Sequence, residues 1–210
     1  MRKNLWLMNI LVILIVIGLL GGGAYYYYQS STYIKTNNAH VSGDIQTIAS
    51  PAAGRLTSWN AEEGEAISSN TELGKINDGK QSTTINSSDN GTIIKESVNK
   101  NQLVQPGTVL AQAVDMKELF IVANIDEKKI KDVKTGSSVD VIVDGDEDTV
   151  IEGEVESIGH AANSIFSLMG QQNTSGNYTK VTQYIPVKIS IDNYSEKVMP
   201  GMNAEVKIKK

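Results

Sequence analysis

The sequence predicts a mainly β chain: an N-terminal transmembrane helix, a β-sandwich built from two half-motifs, and a small β-barrel with one short helix. Three observations predict it. Residues 50–76 (SPAAGRLTSWNAEEGEAISSNTELGKI) and 87–113 (SSDNGTIIKESVNKNQLVQPGTVLAQA) are one half-motif written twice. After Tyr28 the chain is rich in Val, Ile, Thr and Ser, punctuated by Gly and Asn at short intervals, which is the texture of strands and tight turns. The first 28 residues hold one long apolar run.

That run extends from Leu5 to Ala24 with Asn9 as its one strongly polar residue. As a helix it spans roughly 30 Å, the thickness of a bilayer core. Trp6 and Tyr25–Tyr28 stand at its two ends, where interfacial aromatics belong. Leu5, Trp6, Leu20 and Tyr25 thus mark the anchor. Arg2 and Lys3 precede the run and no basic residue follows until Lys35, so the positive-inside rule puts the N-terminus in the cytoplasm and the rest outside. A cleaved secretory signal is the competing reading, with Gly22, Gly23 and Ala24 small enough for a cleavage site. The run exceeds the usual 7–15 residues of a signal core, which favours an uncleaved anchor.

Residues 29–38 are polar and read as a linker. AHVSGDIQTIASP then alternates through Val41, Ile45 and Ile48 to a stop at Pro51. Shifting the first half-motif by 37 residues lays Gly54 on Gly91, Leu56 on Ile93, Ile67 on Val104, Thr71 on Thr108 and Leu73 on Leu110. One copy alone cannot bury its apolar face; two copies packed face to face can. Asn77–Thr84 separates the halves. Beyond Val114, ELFIVAN opens a new unit, DEKKIKDVKTG reads as a short helix stopped by Gly136, and SVDVIV returns through Asp144–Asp148 as a hairpin to Val150–Ile158. YIPVKISID and MPGMNAEVKIKK supply the last strands, so five or six strands and one small helix would close a barrel. The organisation is therefore a cytoplasmic tip and anchor over 1–28, a linker over 29–38, a sandwich over 39–116 with halves 39–77 and 84–116, and a barrel over 117–210.

The duplicated half resembles the biotinyl/lipoyl sandwich used by cofactor carriers, acyltransferase subunits and the membrane fusion proteins of bacterial export pumps. The segments TNNAHVSGDIQTIASPAAGRLTSWNAEEGEAI, LFIVANIDEKKIKDVKTGSSVDVIVDG, SIFSLMGQQNTSGNYTKVTQYIPVKI and MPGMNAEVKI together are similar to the HlyD family, most of all its EmrA-like multidrug-resistance branch. The resemblance implies a cell-membrane adaptor of a multidrug efflux or secretion system, single-pass, with its C-terminal domains extracytoplasmic. It implies homo-oligomerisation and an integral-membrane transporter as partner, a major-facilitator pump first and an ABC exporter second. Relatives from two-membrane bacteria insert a long helical hairpin between the halves. Here Asn77–Thr84 has room for a turn only, which points to the surface of a single-membrane, Gram-positive cell.

Composition removes other classes. The chain has 19 Lys+Arg against 24 Asp+Glu. Setting aside Arg2 and Lys3 leaves 17 against 24, a net of −7, which argues against a nucleic-acid partner. With Cys absent there is neither disulfide nor thiolate chemistry. His40 and His160 show no zinc-ligand spacing, no GxSxG elbow occurs, and Asn173, Asn177 and Asn193 head Asn-x-Ser/Thr triplets that carry little meaning in a bacterial chain. The D-x-D-x-D run Asp144–Asp148 has Thr149 and Val155 where a calcium loop wants Gly and Glu, so it reads as a solvated turn. No cofactor, metal or enzymatic activity is expected.

Two features stay open. Lys80, between the halves and 11 residues before Gly91, has the position of a carrier-domain attachment lysine, although Asp78-Gly79 and Gln81 do not match the flanks that ligases recognise. A lipoyl- or biotin-type carrier is therefore the alternative function, and a cell-surface scaffold a third. Ile165, Phe166, Leu168 and Met169 form an apolar stretch in a polar loop, either barrel core or partner contact.

Overall fold

The computed structural model describes residues 2–166 and 181–210, and within the N-terminal helix the side chains at 6, 9–25 and 32. In chain order the strands are β1 (Tyr33–Ser42), β2 (Ile45–Ala49), β3 (Gly54–Trp59), β4 (Ala66–Ile67), β5 (Glu72–Asn77), β6 (Ser82–Asn86), β7 (Gly91–Glu96), β8 (Leu103–Val104) and β9 (Val109–Val114), then β10 (Phe120–Asp126), β11 (Ser138–Val143), β12 (Ile151–Ile158), β13 (Tyr184–Ile191) and β14 (Asn203–Lys209). One helix, α1, covers Arg2–Thr32. The chain divides into two units: Met1–His40, Ile121–Ser195 and Asn203–Lys210 form one, Val41–Phe120 and Glu196–Met202 the other.

The second unit is a sandwich of two four-stranded sheets, ordered β2-β9-β7-β4 and β6-β5-β3-β8. Every strand of the first half has its mate 37 residues on: β2 with β6, β3 with β7, β4 with β8, β5 with β9. Exchanging mates turns one sheet order into the other. The halves do not stack one on the other as two separate layers. Each sheet draws two strands from each half, so neither sheet exists until both halves are present. The hydrogen bonds repeat at the same interval. Ser50 N donates to Thr108 O at 2.8 Å and Ser87 N to Thr71 O at 2.9 Å; Asn60 N donates to Leu73 O at 2.8 Å and Ser97 N to Leu110 O at 2.9 Å.

Its core holds Leu56, Leu73, Ile76, Ile93 and Leu110, each at most 2% exposed, with Trp59 packed against them. Glycine is required at Gly54, where a Cβ would lie 2.5 Å from Asn77 O. The left-handed turn positions also recur: Gly64 (φ 87°) matches Asn101 (φ 71°), and Asn70 (φ 64°) matches Gly107 (φ 82°). Gly and Asn are the residues that tolerate this conformation, and the two halves use them in opposite order.

The other unit contains a closed six-stranded barrel, β1-β10-β13-β12-β11-β14. Its interior is filled by Ile121, Ile125, Val141, Val155, Ile189 and Ile208, all 0–1% exposed, so it is a packed core and not a conduit. The expected short helix is a 3₁₀ turn at Ile130–Asp132, and Gly136 takes a left-handed φ of 83° four residues later.

Three boundaries differ from the sequence reading. Residues 29–38 are not a linker: α1 continues to Thr32 and β1 begins at Tyr33. β1 completes the barrel by pairing with β14, Ile34 opposite Ile208 and Ala39 opposite Ala204, with a bulge between Thr36 and Ala39 that hides the alternation. The expected single strand over Val41–Ile48 breaks at Gly43, where a Cβ would meet Val114 Cγ1 at 2.7 Å. The connection between the halves is shorter than Asn77–Thr84, because Ser82–Thr84 belong to β6 and pair with β5.

The helix α1 is present over the expected anchor, but among the described residues no helix is long and apolar enough to cross a membrane.

Candidate functional site

The connection between the sandwich halves is the turn Asp78–Gln81. Asn77 Oδ1 accepts from Gly79 N, and Asp78 Oδ1 accepts from both Lys80 N and Gln81 N, all at 2.7 Å. The bonds from Gln81 and Lys80 hold the Asp78 carboxyl below its ordinary value of 3.8, because they favour the charged form. Gly79 supplies the positive φ of 92° that the turn needs. The same device stands 37 residues on, where Lys117 N donates to Asp115 Oδ1 at 2.8 Å. Lys80 is thus one copy of a duplicated Asp-x-Lys turn whose other copy, Asp115-Met116-Lys117, leads out of β9 towards β10. A structural role for the aspartate accounts for both copies. The repetition lies just beyond the half-motifs 50–76 and 87–113 and is legible in the sequence as Asp78-Gly79-Lys80 and Asp115-Met116-Lys117.

The acidic run Asp144–Asp148 forms the β11–β12 turn. Asp146 is 8% exposed and accepts a hydrogen bond from Ser195 Oγ at 2.7 Å; its backbone N–H and C=O bind Val143 O and Thr149 N. Its carboxylate fastens the turn to Ser195, in the segment that follows β13. No group of three or more potential metal ligands occurs among the described residues.

The apolar loop leaves and rejoins the barrel at the end opposite that turn. Its entry, Asn163–Phe166, is a 3₁₀ turn with Ile165 67% exposed; its exit leads into β13 with Val181 and Tyr184 each 39% exposed. The Phe166 side chain, Leu168 and Met169 lie outside what the structure describes. The base of the loop is fastened at both ends. Asn163 Nδ2 donates to Asn124 Oδ1 at 2.7 Å, and Asn124 Nδ2 donates to Asn38 Oδ1 at 3.0 Å, a ladder from the loop across β10 to the bulge of β1. Glu127 N donates to Gln183 O at 3.0 Å on the other side. Sequence reasoning missed this ladder because its three asparagines are far apart in the chain.

Of the anchor residues, Trp6 is 70%, Leu20 69% and Tyr25 69% exposed, and the Leu5 side chain is outside the described set. The large apolar residues from Ile10 to Leu20 are exposed throughout. No described residue covers them.

Comparison with known proteins places these units. Residues 44–115 match the family described as YhbJ, barrel-sandwich hybrid domain, and residues 118–209 match the AAEA-like beta-barrel domain. The chain is 51% identical over 207 residues to YhbJ of Bacillus subtilis (strain 168), named as an efflux system component, covering 99% of this chain and 93% of that one. It is 32% identical over 120 residues to the colistin resistance protein EmrA of Acinetobacter baumannii, 56% of this chain but 34% of that longer protein. Among solved structures, the periplasmic adaptor protein EmrA superposes with a TM-score of 0.59 at 12% identity, covering 85% of this chain and 99% of that one, a likeness of fold.

Proposed function

Because this chain belongs to the YhbJ/EmrA-like family of HlyD-type membrane fusion proteins, which are non-enzymatic adaptors of efflux systems, we propose that it is the membrane-anchored, extracytoplasmic adaptor of a multidrug efflux or secretion pump. The observation that carries this reading is the uncovered apolar surface of α1, which needs an apolar environment and runs without a break into the barrel. A bilayer supplies that environment. The N-terminus is then cytoplasmic and the two β units lie outside, forming a collar over the outer mouth of an integral-membrane transporter. A major-facilitator pump is the first candidate for that transporter and an ABC exporter the second, with amphipathic toxic molecules as cargo. Homo-oligomers would bring sandwich against sandwich and barrel against barrel.

The turn Asp78–Gln81 is too short to reach a second membrane, which fits a single-membrane cell surface. The adaptor reading is preferred to the carrier reading because the Lys80 turn is duplicated at Lys117 for a backbone reason. The loop 164–180, with Ile165 exposed at its entry, is the proposed transporter contact. A reporter fused at Lys210 should be active only in its extracytoplasmic form. Crosslinks from position 181, at the exit of the loop, to a co-expressed transporter should fade, and export should weaken, in Ile165→Asp, a change that an exposed site tolerates without unfolding. Phe166→Asp with Leu168→Asp should act in the same direction. A cytoplasmic C-terminus would sink the proposal, and normal export by these variants would remove the loop from it.

A further inference from the structure

The barrel is electrically polarised. Six strands define two ends. At one end are the start of β1, the end of β14, the β10–β11 connection and the loop entered at Asn163. Ile34 pairs with Ile208, Val139 pairs with the same Ile208 from β11, and Thr36 Oγ1 donates to Asn124 O near the end of β10. This end exposes Lys35, Lys128, Lys129, Lys131, Lys134 and Lys209, against exposed Glu127 and Glu154 and half-buried Asp126 and Asp132; Glu156 is also there, paired with Lys188 at 3.1 Å. The other end carries the β11–β12 turn and the residue after β13, where Asp144, Glu147, Asp148 and Asp192 are exposed. The basic end stands out in a chain whose net charge is −5.

The lysines are arranged against their own interest. Lys35 lies directly opposite Lys207 across the β1–β14 pair, on one face of the barrel, with Lys209 two positions along opposite Tyr33. Like charges placed opposite one another in a sheet repel. Glu205 at 3.8 Å and Asp140, the β11 partner of Lys207, offset part of that repulsion. This is also the end that α1 enters: the helix ends at Thr32, β1 begins at Tyr33, and Lys210 N donates to Thr32 O at 3.0 Å. Whatever surrounds the apolar stretch of α1 therefore has its boundary within reach of these lysines.

We propose that the lysine-rich end of the barrel is a membrane-surface contact that recognises anionic lipid headgroups. It rests on the reading of α1 as an anchor. The lipid phosphate is preferred to an acidic protein face because the lysines ring the exit of an apolar helix, where a bilayer would place its headgroups. Polybasic segments next to a membrane helix are held by the negative surface potential, which salt screens within a Debye length of roughly 8 Å at physiological ionic strength. On this reading the contact fixes how far the barrel stands from the bilayer.

The test uses the full chain, whose lack of cysteine allows single labels at Thr135→Cys, at the basic end, and Glu147→Cys, at the acidic end. Each labelled protein is reconstituted with vesicles of phosphatidylcholine alone, or of equimolar phosphatidylcholine and phosphatidylglycerol, and followed by flotation and by probe fluorescence. The chain should float with both vesicles. The probe at 135 should respond to phosphatidylglycerol about fivefold more than the probe at 147. That response should vanish in 1 M salt, and in Lys128→Glu with Lys131→Glu, while flotation persists. Lys131→Gln with Lys134→Gln, a milder change on the same exposed connection, should lower it without affecting the fold. A chain that floats with neither vesicle overturns the anchor reading and this one with it. Equal flotation with a probe at 135 indifferent to lipid charge overturns this inference alone. So does a probe that responds only when an acidic transporter is added, which would make a protein the partner.

Discussion

Leu56→Ala tests the interleaving of the halves. Leu56 is in β3, 0% exposed, in the sheet β6-β5-β3-β8. Truncating a fully buried Leu costs about 2–5 kcal/mol, from lost transfer energy and the cavity left behind. At 1.4 kcal/mol per tenfold, that is a rise in global opening of roughly 30-fold to roughly 4,000-fold. Each sheet takes two strands from each half, so the loss should spread across both. Hydrogen exchange followed by mass spectrometry should show peptides over β3 and β5 losing protection by the same factor as peptides over β7 and β9. The mate substitution, Ile93→Ala, should give the same coupled pattern from the other half, since Ile93 is 1% exposed. If Leu56→Ala lowers protection in β3 and β5 while β7 and β9 keep theirs, the halves open independently and the reasoning is refuted.

Three further outcomes are expected. Leu56→Asp or Ile93→Asp should each unfold the sandwich, since a buried, unpaired carboxylate costs several kcal/mol, a large share of a stability of about 5–15 kcal/mol; a wild-type melting curve would contradict this. Lys80 should carry no added group, so the intact mass of the native protein should equal that of the chain, and a lipoyl- or biotin-sized increment lost in Lys80→Arg would restore the carrier reading. In the turn, Asp78 is held charged, so its contribution is present above its unfolded value and is lost as pH falls through the lower folded value. The amide resonances of Lys80 and Gln81 should accordingly titrate together with a midpoint below 3.8, and a midpoint above it would mean that the carboxylate does not hold the turn.

The candidate surfaces were legible unequally. Ile165 was visible as an apolar residue in a polar stretch, but whether such a stretch faces a core or solvent depends on neighbours far away in the chain, which no local pattern records. Lys80 was visible as a lysine between repeats. Its ordinary role emerged only when Asp78 was seen bonding the turn amides and Asp115 doing the same. The ladder Asn38–Asn124–Asn163 and the polarised barrel could not be read from a linear string, because both are made by strands that meet after folding.

By itself the sequence determined what local patterns and repetition encode. These are the 37-residue period, the apolar positions of both halves, the barrel hairpin through Asp144–Asp148, and the Gly and Asn residues at left-handed turns, such as Gly64 with Asn101. Each follows from side-chain alternation or from the φ that a residue tolerates, which are properties of a few neighbours. The tertiary structure alone decided which strands share a sheet. β2 pairs with β9 across most of one unit and β1 with β14 across both units' lengths of chain, and such pairings depend on hydrogen bonds that any backbone can offer. A face packed against one half is as apolar as a face packed against the other. The sequence therefore shows that each strand is half-buried, while the choice between stacked and interleaved halves, and of β1 as the barrel's closing strand, belongs to the folded chain as a whole.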